Sequence, residues 1–214
     1  MDVSSLTVGP FQENCWILHD PLSGDVAVVD PGAEPARILS AIEQTGGRLT
    51  AIVLTHAHLD HVGGIAGVMR VWPDVPVYLH PADRPVFDFA PNSAALYGLP
   101  YEHPASPDRD LAEADVLTLA GAPFTVWHLP GHAPGHVAFI GEGLLFCGDV
   151  LFAGSVGRSD LPLSVPAALD RSLQRLLTLP PETIVHPGHG PSTSIGEESR
   201  SNPFLNGVAR IPRR

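Results

Sequence analysis

The first half of the chain contains short segments whose hydrophobic pattern is typical of β-strands. β-Branched residues and an alternation of apolar with polar side chains predict strands at 3–8, 13–19 and 25–30. Asp30-Pro31-Gly32 predicts the turn that ends the third of them. A fully apolar run at 51–54 predicts a fourth strand, which is buried on both faces because it lacks polar positions.

Helical spacing appears between and after these strands. A helix is predicted at 34–45, and Gly46-Gly47 is its stop signal. A second helix is predicted from Gly63-Gly64 through residue 71. A strand at Val75–His80 and a short helix at 81–88 follow, and the region rich in Pro, Ala and Asp at 89–113 predicts a loop or lid with some helix.

The second half repeats the same kinds of element. Strands are predicted at 115–120, 123–129, 135–140, 144–147 and 183–186. Residues 150–164 are predicted to form an ordered loop, 165–178 a helix with its leucines facing inward, and the residues from 196 onward a tail.

The chain thus passes twice through strands followed by helices. This order predicts an α/β protein built as a four-layer αββα sandwich, with two packed sheets and helices on the outer faces. A length of 214 residues suffices for one domain with a sizeable core, so we expect a single domain over residues 1–214.

Composition and charge exclude several classes of function. The formal net charge of −11 repels phosphate backbones and anionic membranes, so neither nucleic acid nor a membrane is an expected partner. Two cysteines, Cys15 and Cys147, are too few for a disulfide framework. No signal sequence or membrane span is evident, and we expect a cytoplasmic protein.

The densest chemical signal follows the apolar run at 51–54. His56, His58 and Asp60 alternate along the chain and therefore point to one side of an extended backbone, and His61 follows as the next helix begins. Neutral imidazoles and a carboxylate are ready ligands for a divalent metal ion. Such a dense cluster seldom arises without a site, so it predicts a metal centre.

Three later segments place a further histidine or aspartate where a strand gives way to a glycine turn. They contribute His132 and His136, then Asp149, then His189. Taken singly, each is an ordinary turn residue, but together with the first cluster they predict one shared cleft at the strand ends. The remaining histidines lack such context and are interpreted as surface or core residues; they are His19, His80, His103, His128 and His186.

With these residues assembled, the chain resembles the metallo-β-lactamase superfamily and, within it, the glyoxalase II (hydroxyacylglutathione hydrolase) branch. The similarity rests on Thr-His-Ala-His-Leu-Asp-His-Val-Gly-Gly at 55–64, Pro-Gly-His-Ala-Pro-Gly-His at 130–136, Cys-Gly-Asp at 147–149, Gly-Ser-Val-Gly-Arg-Ser-Asp-Leu-Pro at 154–162, His-Pro-Gly-His-Gly-Pro at 186–191 and Asn-Pro-Phe-Leu at 202–205. It covers essentially the whole chain and implies the metallo-β-lactamase fold with two mixed sheets.

The resemblance also implies a ligand set for two divalent metal ions. His56, His58 and His132 would hold one ion, whereas Asp60, His61 and His189 would hold the other. Asp149 would bridge them. Zinc is the usual metal, although histidine and aspartate ligands also suit iron or manganese.

The activity implied by the resemblance is hydrolysis of a thioester such as S-lactoylglutathione or a related hydroxyacyl thioester. A hydroxide bridging the metals would attack the carbonyl carbon, and Asp60, as catalytic residue, would orient it and pass its proton. Longer relatives carry a C-terminal helical domain that binds glutathione. This chain resembles the short form without it, so the expected partner is a small-molecule thioester, and the protein is expected to be a monomer or small homo-oligomer.

Two further residues are predicted to support the site without binding metal. His136 is expected to hydrogen-bond a ligand residue. Arg158 either attracts a carboxylate of the substrate or pairs with Asp160.

Other activities remain open on the same scaffold. A persulfide dioxygenase with a single iron, held by His56, His132 and Asp149, is the principal alternative. A β-lactamase is less favoured, because Cys147 is not at a ligand position, and a nuclease is disfavoured by the acidic charge. A non-catalytic zinc protein is also less favoured, because structural sites usually close one four-coordinate ion.

Overall fold

The computed structural model describes residues 1–211. In chain order its strands are β1 (Asp2–Val8), β2 (Glu13–His19), β3 (Asp25–Val29), β4 (Arg48–Val53), β5 (Val77–Leu79), β6 (Arg109–Asp110), β7 (Val116–Leu119), β8 (Ala122–His128), β9 (Val137–Gly141), β10 (Leu144–Gly148), β11 (Leu151–Phe152), β12 (Ser155–Val156), β13 (Ile184–Pro187) and β14 (Thr193–Ser194). The helices are α1 (Pro35–Thr45), α2 (Leu59–Val62), α3 (Ile65–Met69), α4 (Arg84–Tyr97), α5 (Pro166–Leu176) and α6 (Ile195–Ser201), and a 3-10 turn covers Pro81–Asp83.

The strands form two mixed sheets and one small hairpin. The first sheet has the order β1-β2-β3-β4-β5-β6, antiparallel over β1 to β3 and parallel from β3 to β6. The second sheet has the order β14-β13-β10-β9-β8-β7, and only its β10–β13 pair is parallel. Strands β11 and β12 pair with each other.

Alternating side chains of the central strands divide the core into layers. On β3, Val26 and Val28 pack on the side of helices α1 and α3, whereas Ala27 and Val29 face the second sheet. Between the sheets, Val29 belongs to the same apolar cluster as Phe124 and Phe146. Helix α5 packs its leucines on the far side of the second sheet. The predicted αββα sandwich is therefore confirmed.

The short helix predicted at 81–88 is longer in the structure and supplies the helical part of the region at 89–113, which was predicted as a loop or lid with some helix. Helix α4 continues through it to Tyr97 even though Pro91 lies inside the helix. Phe87, Ala90 and Ala94 are buried along one face of this helix, and Gly98 ends it in the left-handed conformation. The apolar face therefore outweighs the helix-breaking tendency of the proline, which the sequence interpretation overweighted.

Three smaller boundaries also differ from the prediction. The helix predicted from Gly63-Gly64 through residue 71 corresponds to α3, which ends at Met69, and a separate short helix, α2, precedes it. The loop predicted at 150–164 contains the β11–β12 hairpin, and the predicted tail contains α6, whose first turn is capped by the Ser194 side chain accepting from the Glu197 amide. Among residues 1–211, no helix is both long and apolar enough to cross a membrane.

Candidate metal centre

The site lies where strands of the two sheets end. Strand β4 stops at Val53, and the backbone then runs through His56 into α2, which carries Asp60 and His61 on consecutive positions. His58 keeps an extended conformation as the residue before that helix. The loops after β8, β10 and β13 supply the other predicted ligands. All seven predicted ligands therefore reach one cleft from loops of both sheets.

Three imidazoles form the first donor group. The Nδ1 atom of His58 and the Nε2 atom of His132 lie 2.9 Å apart, and the Nε2 atoms of His132 and His56 lie 3.2 Å apart. Burial and the neighbouring imidazoles hold the pKa of His56 well below its usual range and lower that of His58 to about 3. Both rings are therefore neutral at pH 7, so their nitrogen lone pairs are available to a metal ion.

Asp60, His61 and His189 form the second donor group. The Oδ2 atom of Asp60 lies 3.2 Å from the Nε2 atom of His189 and 3.9 Å from the Nε2 atom of His61. Burial opposes ionisation of Asp60, but His61 and His189 together outweigh burial and lower the pKa of the carboxyl group. Asp60 is therefore an anionic ligand at the same point as two imidazoles.

Asp149 lies between the two groups. Its Oδ2 atom is 3.5 Å from the Nε2 atoms of both His132 and His189, and its Oδ1 atom is 3.4 Å from the Nε2 atom of His61. Burial disfavours the charged carboxylate, but His61, His132 and His189 together outweigh burial and hold the pKa of Asp149 well below its usual range. One carboxylate thus faces members of both donor groups, as a bridging ligand would.

The chemistry of these donors fits divalent cations. Among residues 1–211, the buried atoms His61 Nε2 and Asp149 Oδ1 have no hydrogen-bond partner, which is costly unless a cation engages them. Burial lowers the pKa of His61, but Asp149, Asp30 and Asp60 outweigh burial and raise it well above its usual range. The cluster therefore draws positive charge to this point, and a divalent ion supplies it without protonating the ring.

Asp30 holds this arrangement from behind and was interpreted in the sequence only as a turn residue. Its Oδ2 atom accepts from His61 Nδ1 at 3.0 Å and from the Thr55 hydroxyl at 2.6 Å, and its Oδ1 atom accepts from the Thr55 amide at 2.7 Å. The bond to Nδ1 leaves Nε2 of His61 as the metal-facing nitrogen. The available signal was the position of Asp30 at the end of a buried strand, next to the β4 strand end.

Asp83 is a second residue that the sequence analysis missed. Its carboxylate accepts two backbone amides, from Ala57 at 2.8 Å and from Gly135 at 2.6 Å. One side chain therefore ties the loop of His56 and His58 to the loop of His132. Because both partners are main-chain groups, no motif in the sequence marks the pairing.

His136 and Arg158 occupy the surroundings of the site. The Nε2 atom of His136 accepts from the Asp149 amide at 3.0 Å, so it orients the backbone of the bridging residue. The Arg158 guanidinium makes two hydrogen bonds of 2.9 Å to Asp160. The backbone carbonyl oxygen of Arg158 accepts from His132 Nδ1 at 2.8 Å. Of the two sequence interpretations of Arg158, the structure contains the ion pair with Asp160.

The loop of His189 is fastened to strand β2. The Asn14 side-chain amide donates to the carbonyl oxygens of Pro187 and Gly190, at 3.2 and 2.7 Å, and the Trp16 indole donates to Pro187 at 3.0 Å. Gly188 allows this close packing, because a Cβ there would collide with Asp149 Oδ1 and the ring of His61. Asn14 is a further positioning residue that sequence reasoning did not single out.

Replacing Asn14 with alanine should lower the free energy of unfolding of the metal-free protein by about 1–3 kcal/mol, measured by urea denaturation. The Gly190 carbonyl oxygen loses its Asn14 donor, and the Pro187 carbonyl oxygen keeps only the bond from the Trp16 indole. Asn206→Ala is the matched control, because the Asn206 side chain accepts from the Val208 amide at the surface, away from the site. An unchanged urea midpoint for Asn14→Ala would show that the loop is held by other contacts.

The remaining histidines lie outside the two donor groups. His186 stacks on Phe146 and faces the Ser192 hydroxyl, and His80 stacks on His128 with ring centroids 4.2 Å apart. Within the described residues, the groups of donor atoms close enough to hold an ion include none of these three histidines.

Comparison with known proteins identifies the family. The family model described as the metallo-beta-lactamase superfamily matches residues 8–189. Hydroxyacylglutathione hydrolase GloC of Haemophilus influenzae is 38% identical over 215 residues, covering 96% of this chain and 99% of that protein.

Two solved structures support the same assignment. TTHA1623 in a di-iron-bound form is 49% identical with a TM-score of 0.87, covering 94% of this chain and all of that one (100%). BLEG-1 B3 metallo-beta-lactamase is 38% identical with a TM-score of 0.89, covering 96% of this chain and 100% of that one. With its αββα fold and its histidine and aspartate cluster at the strand ends, this chain belongs to the metallo-beta-lactamase superfamily.

Proposed function

We propose that this metallo-hydrolase cleaves a thioester, with S-lactoylglutathione or a related hydroxyacyl thioester as substrate. The observation that carries the proposal is the pair of donor groups that share Asp149. Two adjacent cation sites with one common carboxylate are the arrangement that two-metal hydrolases use. The name of the Haemophilus influenzae relative supports the choice of substrate.

The residues would divide between the ions as the family resemblance implies. His56, His58 and His132 would hold one ion, the second donor group would hold the other, and Asp149 would contact both. Bound there, divalent ions would lower the pKa of coordinated water to about 7 and polarise a carbonyl oxygen. Zinc is the expected metal, and iron or manganese suits the same ligands; the di-iron form of TTHA1623 supports iron.

Asp60 is the proposed catalytic residue of the chain itself. Its side chain is 21% exposed, so it reaches the cleft, and its lowered pKa keeps the carboxylate ready to accept a proton. In the proposed reaction, the oxygen of a water molecule bonds to the thioester carbonyl carbon and Asp60 takes a proton from that water. The carbon–sulfur bond breaks, and the departing thiolate receives the proton.

The buried partners of the ligands would keep the reacting groups in place. Asp30 fixes the ring of His61, His136 fixes the backbone of Asp149, and the Arg158 carbonyl fixes the ring of His132. Each contact restricts a ligand side chain or its backbone before substrate arrives, which reduces the reorganisation needed during the reaction.

The experiment compares three reactions of the protein as isolated, after its metal content is measured. We expect hydrolysis of S-lactoylglutathione, no oxygen uptake with glutathione persulfide, and little hydrolysis of a β-lactam. Oxygen uptake with one iron per chain would support the persulfide dioxygenase instead. The complete second donor group favours the hydrolase, since a single-iron site has no use for it.

A further inference from the structure

A cavity of about 300 Å³ lies beside the metal centre and shares Asp60 with it. It lies between the turn that joins β1 to β2, the loop that leads from β3 into α1, and the segment after α4. Asp60 and Leu59 complete the lining, so the cavity borders the residue beside which the substrate carbonyl would be attacked.

The lining of this cavity is almost entirely apolar. Its side chains include Val8, Phe11, Leu59, Leu99 and Tyr101. Burial raises the pKa of Tyr101 to about 12, so its phenol is neutral at any physiological pH.

The charged side chains of the lining are both acidic. They are Asp60 and Glu34, and Glu34 already accepts from the Gly9 amide at 2.9 Å and from Arg37 at 2.8 Å. Among the described residues, no arginine or histidine lines the cavity. An anionic group that entered would therefore find no cationic side chain in the lining to compensate its desolvation.

The rim next to the cavity has the same character. Phe11 and Tyr97 meet edge to face with ring centroids 5.0 Å apart, joining the β1–β2 turn to the end of α4. Asp160 and, to a smaller extent, Tyr97 raise the pKa of Arg158, and Asp160 engages its guanidinium through two hydrogen bonds. The rim therefore adds apolar surface, and its arginine is already committed to a carboxylate.

We infer that this cavity binds an uncharged, apolar substituent of the thioester substrate. The inference rests on the proposed function, because it places the scissile carbonyl next to Asp60. The volume holds roughly ten water-sized groups, which suits a chain of about eight to ten carbon atoms. The apolar substituent belongs either to the acyl half or to the thiol half, and the carboxylates of a glutathione group would stay outside the cavity.

Two substrate series identify which half enters. One keeps N-acetylcysteamine as thiol and lengthens the acyl group from acetyl to decanoyl; the other keeps acetyl and lengthens an alkyl thiol. In the series that fills the cavity, kcat/KM should rise up to about fourfold per added methylene and then level off. If the protein hydrolyses thioesters but kcat/KM does not change with chain length in either series, the inference is overturned and the proposed function stands.

Leu99→Arg tests the cavity directly, and Leu22→Arg is its control because Leu22 is 96% exposed and lies outside the lining. We expect Leu99→Arg to reduce the preference for long chains at least tenfold, whereas Leu22→Arg keeps that preference. Binding of 2-decanone to the metal-free protein, followed by NMR, should weaken at least tenfold in Leu99→Arg alone. Equal binding of 2-decanone by both variants would overturn the inference. Weaker binding in Leu99→Arg alone, in a protein without any thioesterase activity, would reject only the proposed function.

Discussion

Replacing Asp149 with alanine is expected to remove metal and activity together. The carboxylate approaches His132 and His189 at 3.5 Å and His61 at 3.4 Å, so its loss takes a ligand from both proposed ions at once. It also removes one of the carboxylates that raise the pKa of the buried His61. Removing a partner of a ligand typically costs about 10–100-fold in metal affinity, and removing a shared ligand should exceed that.

The measurement is metal content after dialysis, paired with the rate of S-lactoylglutathione hydrolysis. Asp160→Ala serves as the control, because that exposed aspartate lies in the loop after β12 and pairs with Arg158, which is not a proposed ligand. The Asp160 variant should keep its metal. If Asp149→Ala kept both ions and its full rate, the bridging role would be refuted.

Replacing Asp83 with asparagine is expected to weaken metal binding about 10–100-fold with little change in stability. Both carboxylate oxygens accept a backbone amide, whereas asparagine must turn its NH2 group toward one of those donors. The loss of one charge-assisted hydrogen bond costs about 1.5–3 kcal/mol. Burial raises the pKa of Asp83 to about 6, so asparagine avoids a cost of about 3 kcal/mol for the buried charge. The two effects offset each other.

The pH dependence of the free energy of unfolding separates the cost of the buried charge from the loss of a hydrogen bond. Because the pKa of Asp83 is higher in the folded chain, its ionisation makes wild-type stability fall as pH rises from about 4 to about 6 and contributes a constant cost above that. Asp83→Asn should lack this part of the slope in urea unfolding of the metal-free protein. Zinc competition with a chelator reports the affinity. Unchanged affinity would mean that the two loops do not depend on Asp83.

The sheets could be predicted because each strand has a local hydrophobic pattern that is visible in the sequence. Alternation on β3 and the apolar run of β4 directly specify which faces are buried. The clustering of predicted ligands was accessible for a related reason. His56 to His61 lie within six consecutive residues. His132, Asp149 and His189 each follow a strand, and the ends of neighbouring strands bring their loops together.

The residues that support the ligands could not be predicted in the same way. Asp83 and Asn14 act on backbone groups far away in the sequence, so their partners have no side-chain identity to detect. Helix α4 was shortened in the prediction because Pro91 is a strong local signal, whereas the packing of Phe87 and Ala94 is a tertiary one. Local patterns thus gave the framework, and long-range contacts determined how it is held.

The most direct test of the account is a titration of the metal-free protein with Zn²⁺ or Fe²⁺ while hydrolysis of S-lactoylglutathione is followed. Two donor groups that share Asp149 predict that two ions bind per chain and that the rate reaches its maximum only at the second equivalent. A full rate at one equivalent, or no hydrolysis with two ions bound, would contradict the two-metal thioesterase.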